Sequence, residues 1–275
     1  MRARPIIAIL LAATAVPIAT QASAQAQDLG PRPSLHDDQS GEVFAGIDYQ
    51  QGDYGTGAKV ETVSTSVGVA LRKGRVRLAV AVPYLRTTAP VEVVVSQGGL
   101  FGTPLLASGS NQTVRTSREG LGDATLQAAY DMPVAGFVVT LGGGLKLPTA
   151  SRARGLGTGK LDYAVNAQVM RTLRGGITPF ASVGYTMLGQ PDGFAVRNTL
   201  SGTAGTRVAL SSVTFAALSY SYEQSASQAL ADRQSIGVGL GVALGQKLQL
   251  GLQGEAGLSR GAPDTKLGLR LSAGF

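Results

Sequence analysis

Residues 233–258 read RQSIGVGLGVALGQKLQLGLQGEAGL. Ile236, Val238, Leu240, Val242 and Leu244 fall on every second position, and Leu248, Leu250 and Leu252 resume the rhythm after Gly245-Gln246. Between them stand Gly237, Gly239, Gly241 and Ala243, then Gln249, Gln253 and Glu255. Successive side chains of an extended chain point to opposite faces, so this spacing builds one apolar face and one small or polar face. Two such runs joined by a Gly-containing turn predict an antiparallel hairpin.

The same alternation extends along most of the chain. It predicts twelve strands, at about 42–50, 60–72, 75–86, 119–131, 137–147, 160–173, 177–188, 199–210, 213–224, 233–244, 247–258 and 264–275. Most are about 10–13 residues long, against roughly 5–6 in soluble sheets, and suit a tilted membrane crossing. Five tight turns alternate with six generally longer loops, the longest a polar stretch at 87–118. Such asymmetry is expected when one barrel end faces the periplasm and the other the outside. Alternation alone would also fit a soluble β-sandwich; strand length and loop asymmetry favour lipid. Hydrocarbon offers no partners to edge strands, so the sheet must close. The expected fold class is all-β, a closed antiparallel transmembrane β-barrel of about twelve strands.

Composition agrees. Charged residues make up 15% of the chain, against roughly 25% in ordinary soluble domains. Glycine is abundant at 38 residues, and Cys and Trp are absent. Beyond the N-terminus no apolar run reaches the roughly 18–20 residues a membrane helix needs.

Residues 1–24 read as a signal peptide, with Arg2 and Arg4, an apolar stretch from Pro5 to Ile18, and Ala22-Ser23-Ala24. Cleavage is expected after Ala24. Losing two arginines would lower the formal charge from +7 to +5, too dispersed to suggest a nucleic-acid partner. Residues 25–41 are expected to form a flexible periplasmic segment, and 42–275 the barrel.

Parity assigns the faces. Arg75, Arg77, Lys146, Arg207, Lys266 and Arg270 are expected inside the barrel, with Asp123, Asp162, Glu223 and Glu255. Six bases against four acids give either a mild anion preference or salt bridges that stiffen the wall. Of 15 aromatics (8 Tyr plus 7 Phe), many fall at strand ends on the apolar face. Tyr49, Tyr84, Tyr163, Tyr185 and Tyr222 are expected at the outer membrane interface, with Tyr130, Phe137 and Phe275 at the periplasmic one.

Chemistry for catalysis is sparse. The single histidine, His36, precedes the first strand, so no barrel position offers a base to activate a serine. No metal site and no cofactor is expected. GGGLK and GLGTGK lack the spacing of a phosphate loop. The expected protein is not an enzyme.

The terminal KLGLRLSAGF resembles the C-terminal signal of outer-membrane proteins. That resemblance implies that Phe275 serves recognition by the barrel-assembly machinery. A second resemblance lies in GLGDATLQAAYDMP, GGGLKLPTA and GLGTGKLDYAVNAQVMRTL. These resemble the outer-membrane family named after the meta-cleavage pathway of phenol degradation, at Gly122-Asp123, Lys146 to Thr149, Gly157 to Gly159 and Asp162. Membership would imply a channel or transporter for small solutes, possibly hydrophobic or aromatic compounds, with outer-membrane lipid around it. The alternative is a structural or surface-interaction barrel with a filled lumen.

Overall fold

The computed structural model describes residues 39–54, 59–90, 93–95, 104–106 and 115–275. The expected signal peptide, His36 and most of the expected N-terminal segment lie outside them. The wall is built in chain order from β1 (Gln39–Gly52), β2 (Val60–Lys73) and β3 (Val76–Pro90). A small hairpin, β4 (Val93–Val95) and β5 (Pro104–Leu106), stands apart from the main sheet. The wall resumes with β6 (Arg115–Leu121), β7 (Ala124–Val134), β8 (Phe137–Leu147), β9 (Asp162–Met170) and β10 (Ile177–Met187). It ends with β11 (Thr199–Ala209), β12 (Thr214–Glu223), β13 (Arg233–Ala243), β14 (Leu248–Gly257) and β15 (Thr265–Gly274).

Every wall strand is antiparallel to its neighbours, and β1 pairs with both β2 and β15, so the sheet closes. The main sheet holds thirteen strands. β6 and β7 are successive halves of one crossing, both paired to β3, which leaves the twelve expected. The break between them is the Gly122-Asp123 step. It lets the Gly122 N–H reach Pro83 O at 2.8 Å while Asp123 turns inward, where it is 1% exposed.

One expectation is corrected here. The stretch 87–118 is not loop throughout: β3 runs to Pro90 and β6 begins at Arg115. Thr87 and Ala89 continue the inward parity of β3 above the apolar band, both buried. Their small side chains hide a strand that stands above the membrane.

The apolar parity faces outward. Val67, Val80, Val165, Val183, Val238 and Leu267 are each 45–57% exposed, an arrangement water would not tolerate around a whole barrel but lipid favours. The inner face carries the buried polar residues, among them Thr125, Thr140, Gln168, Thr203 and Ser272. Glycine on this face makes room for rings. A Cβ on Gly205 would run into Leu218 O and Ser219 Cα of β12 and the Phe180 ring. Since two of these are backbone atoms, Gly205→Val is expected to cost about 1–3 kcal/mol by overpacking, read as a lower denaturant midpoint in lipid vesicles.

The seam closes on the last residue. The Gly41 N–H donates to Phe275 O at 3.1 Å and the Phe275 N–H to Gly41 O at 2.8 Å. The Phe275 ring lies over Gly41 and beside Leu71, on the outer surface.

Candidate functional site

The lumen is lined by charges laid along the wall. Near the tight-turn end, Arg77 of β3 donates to Asp131 of β7 at 2.7 Å, and Thr140 of β8 donates to the same carboxylate oxygen at 2.7 Å. Arg72 approaches the other oxygen at 3.6 Å. Next along the wall, Arg270 of β15 pairs with Glu42 of β1 at 3.1 Å and stacks on Phe44 with its guanidinium carbon 3.7 Å from the ring centre. Arg207 stacks likewise on Phe215 at 3.9 Å. Such cation–π contacts hold a guanidinium flat against the wall.

The long-loop end holds a tighter cluster. The Lys146 ammonium, fully buried, lies 2.9 Å from Asp123 Oδ2, 2.7 Å from Asp162 Oδ2 and 3.2 Å from Thr158 Oγ1. The remaining carboxylate oxygens hold loop backbone: Asp123 Oδ1 accepts from the Ala150 N–H at 2.9 Å, and Asp162 Oδ1 from the Gly189 N–H at 2.8 Å. Gly157 lies so close to Asp123 and Ala150 that a Cβ would collide with both. Three strands and two loops are thus pinned to one ammonium. A charge cluster in so dry a place persists only when its lone pairs and protons are matched, and here the loop amides do the matching.

Beside this cluster the connection from β8 to β9 folds over the mouth. Arg152–Arg154 form a 3₁₀ turn, ended by Gly155 in the left-handed region, φ 64. Leu156 then packs against Leu85 and Ala150, all buried. Farther out on the same strand β3, Tyr54 of the β1–β2 connection is buried with Val60 and Ala89. Burial pushes the Tyr54 phenol above its ordinary range, partly offset by Arg233 and Gln50. Arg233 itself pairs with Glu223 at 3.4 Å. Both loops therefore narrow the outer entrance.

The structure brings Asp123, Lys146 and Asp162 into one contact and places Glu255 beside Lys266 in register. Arg77, Arg207, Glu223 and Arg270 stand on inner-face positions with the partners given above. Arg75 is a correction: it is exposed in the two-residue turn Gly74-Arg75, because β2 runs on to Lys73 and the turn, with Gly74 at φ +55, falls one residue later than parity assumed. Parity also carried signals left unused. Glu42, Asp48, Arg72, Asp131 and Arg233 share the inward face, as do Phe44, Phe180 and Phe215. With these, Arg72, Arg77, Lys146, Arg207, Arg233, Lys266 and Arg270 oppose Glu42, Asp48, Asp123, Asp131, Asp162, Glu223 and Glu255. Among the described residues along the lumen, the expected basic excess becomes a balance of seven against seven.

Of the expected interface aromatics, Tyr84, Tyr130, Phe137, Tyr163 and Tyr185 are 38–46% exposed on the outer surface, and Phe275 is 65% exposed. Tyr49 and Tyr222 are half-buried. Tyr49 donates to Gln51 at 2.7 Å and Tyr222 to Asp232 at 2.6 Å. Tyr220, not singled out in the sequence, joins the outer set at 44%. Among the described residues no group of three or more His, Cys, Asp or Glu is placed to hold a metal.

A closed twelve-stranded wall, apolar outside and charged inside, with tight turns at one end and long loops at the other, is the architecture of an outer-membrane β-barrel. The chain belongs to the family described as "Putative MetA-pathway of phenol degradation", which it matches over residues 38–275. Its fold is similar to that of an outer-membrane channel from Pseudomonas putida F1, with 16% identity, TM-score 0.65, and coverage of 89% of this chain and 100% of that one. It is also similar to the NanC porin, with 10% identity, TM-score 0.52, and coverage of 85% and 98%. No curated protein sequence matches the chain at a significant level.

Proposed function

We propose that this protein is an outer-membrane channel for small solutes, aromatic compounds among them, inserted after export and cleavage behind Ala24. The observation that carries the reading is the glycine sector of β13 and β14. Gly237, Gly239 and Gly241 share the inner face with Gly251, where an added Cβ would meet nothing within 4 Å. Around this sector Arg270 pairs with Glu42 and Arg233 with Glu223 along the wall rather than across the lumen. The solute path therefore follows the glycines. The aromatic preference draws on the family description and on the Phe44 and Phe215 rings inside the barrel.

Purified protein in a planar bilayer is expected to conduct, and Gly251→Trp to lower single-channel conductance by about twofold. No current, with no solute uptake in liposome swelling, would sink the reading. Balanced lumen charge replaces the mild anion preference expected from sequence. The outer half is acidic: Lys146, Arg233 and Lys266 face Asp48, Asp123, Asp162, Glu223 and Glu255. The inner half is basic: Arg72, Arg77, Arg207 and Arg270 face Glu42 and Asp131. Opposed halves predict a reversal potential near zero in a salt gradient; strong selectivity of either sign would contradict it.

The inward fold of Tyr54 and Leu156 favours a second reading, a barrel closed at its mouth with a structural or surface-interaction role. Sustained conductance of the wild type separates the two.

A further inference from the structure

The tight-turn rim carries its charge on one side. Three hairpins stand next to one another there, because β3 pairs with β7 and β8 with β9. The turn from β2 to β3 holds Lys73 and Arg75, and the connection from β9 to β10 holds Arg171 and Arg174, all exposed. Between them the β7–β8 turn is apolar, Val134-Ala135-Gly136, with Val134 53% exposed. Two pairs of cations thus flank one apolar turn, and three strand spacings, about 14 Å, separate β3 from β9. The tight turns, residues 73–75, 134–136, 171–176, 210–213 and 244–247, contain no Asp or Glu, and their one other cation is Lys247.

Register places two of the four cations on the lipid-facing surface. Lys73 pairs with Val76, which pairs in turn with Tyr130, and both are 43% exposed outside. Arg171 follows Val169 on the outward parity of β9, and its N–H continues the ladder to Pro179 O at 3.2 Å. Its guanidinium carbon lies 4.9 Å from the centre of the Phe137 ring, itself 38% exposed outside. Aromatic rings of this kind settle at the membrane interface, so a cation beside them lies at headgroup depth, its stem along the apolar wall. Arg75 and Arg174 stand in the turns just beyond. The opposite rim is built differently. There Arg86 is joined to Glu119 at 3.0 Å, Arg115 to Glu61 at 2.8 Å and Arg152 to Asp192 at 3.0 Å. Among the described residues Lys73, Arg75, Arg171 and Arg174 form no ion pair. A cluster of one sign repels itself until an outside anion covers it. Guanidinium forks match phosphate oxygens two at a time, and basic clusters at a membrane surface select anionic headgroups.

We infer that this sector binds the phosphodiester headgroup of an anionic phospholipid in the periplasmic leaflet, with Lys73, Arg75, Arg171 and Arg174 as its donors. This assignment needs only the barrel's orientation, tight turns toward the periplasm, and not what the lumen conducts. The test uses full-length protein folded into bilayers of phosphatidylcholine and phosphatidylglycerol, then extracted in detergent and weighed intact. At least one phosphatidylglycerol per chain is expected to stay bound, with phosphatidylcholine released. K73Q/R75Q/R171Q/R174Q is expected to retain at least tenfold less, and R171Q/R174Q to show a smaller loss. R86Q/R115Q/R152Q/R154Q removes the same charge from the other rim and is expected to retain as much as wild type. A heated-versus-unheated gel checks that each variant remains a barrel. Glycerophosphoglycerol, the headgroup without acyl chains, distinguishes a free anion from a lipid. Equal retention by the two quadruple variants, equal retention of phosphatidylcholine, or binding of the free headgroup without lipid retention would each overturn the assignment.

Discussion

Lys146→Met is expected to lower the stability of the folded barrel by about 3–5 kcal/mol, the usual cost of leaving a buried charge without its partner. Methionine matches the lysine stem in length but supplies no ammonium. Asp123 and Asp162, 1% exposed each, would then face one another across a dry gap. Both carboxylates also anchor loop amides, at Ala150 and Gly189, so the effect should spread to the mouth. The measurement is a denaturant midpoint in lipid vesicles, with trypsin cleavage after Arg152 or Arg154 as the local readout. Faster cleavage should accompany the lower midpoint. The combined variant D123N/K146M/D162N removes the stranded charge and is expected to recover much of the loss. A midpoint unchanged in K146M would mean that the cluster contributes little to holding the loops.

That cluster also shows where sequence reading stopped. Parity places Asp123, Lys146 and Asp162 on the inner face because each strand's rhythm is read locally. It cannot say that they touch. Their strands, β7, β8 and β9, meet them near the same height only after register and barrel tilt are set. Lys146 and Asp162 are register partners, but Asp123 enters through the Gly122 step, which breaks the rhythm. The three motif fragments that carry the family resemblance thus converge in space as one ion cluster and the loop it holds. Twelve strands, their turns and the outward apolar face were legible, since the period of two is imposed by lipid at every crossing. The outward extension of β3 and β6 was not: it stands above the membrane, where no lipid enforces alternation. Arg75 failed for the opposite reason, because a tight turn consumes the residue that parity would have assigned to the wall.

The parity assignment as a whole can be tested with one side chain placed on either side of the wall. Val238 lies at the middle of β13 and is 57% exposed on the outer surface. Val238→Arg would bring a guanidinium into hydrocarbon, at a cost of about 2–4 kcal/mol near the midplane. Gly251, on neighbouring β14, faces inward into open space. Gly251→Arg should leave folding nearly unchanged, since the new side chain can extend along a wet wall. It should also move the reversal potential toward anion selectivity by adding charge to the basic half of the lumen. The two variants add the same group to adjacent strands, so the change in net charge is matched between them. The heated-versus-unheated gel and the denaturant midpoint read the first; the bilayer reversal potential reads the second. If both arginines destabilise equally, the lumen is packed rather than open at Gly251. If neither does, the face carrying Val238 does not meet lipid, and the outward apolar surface would need another cover.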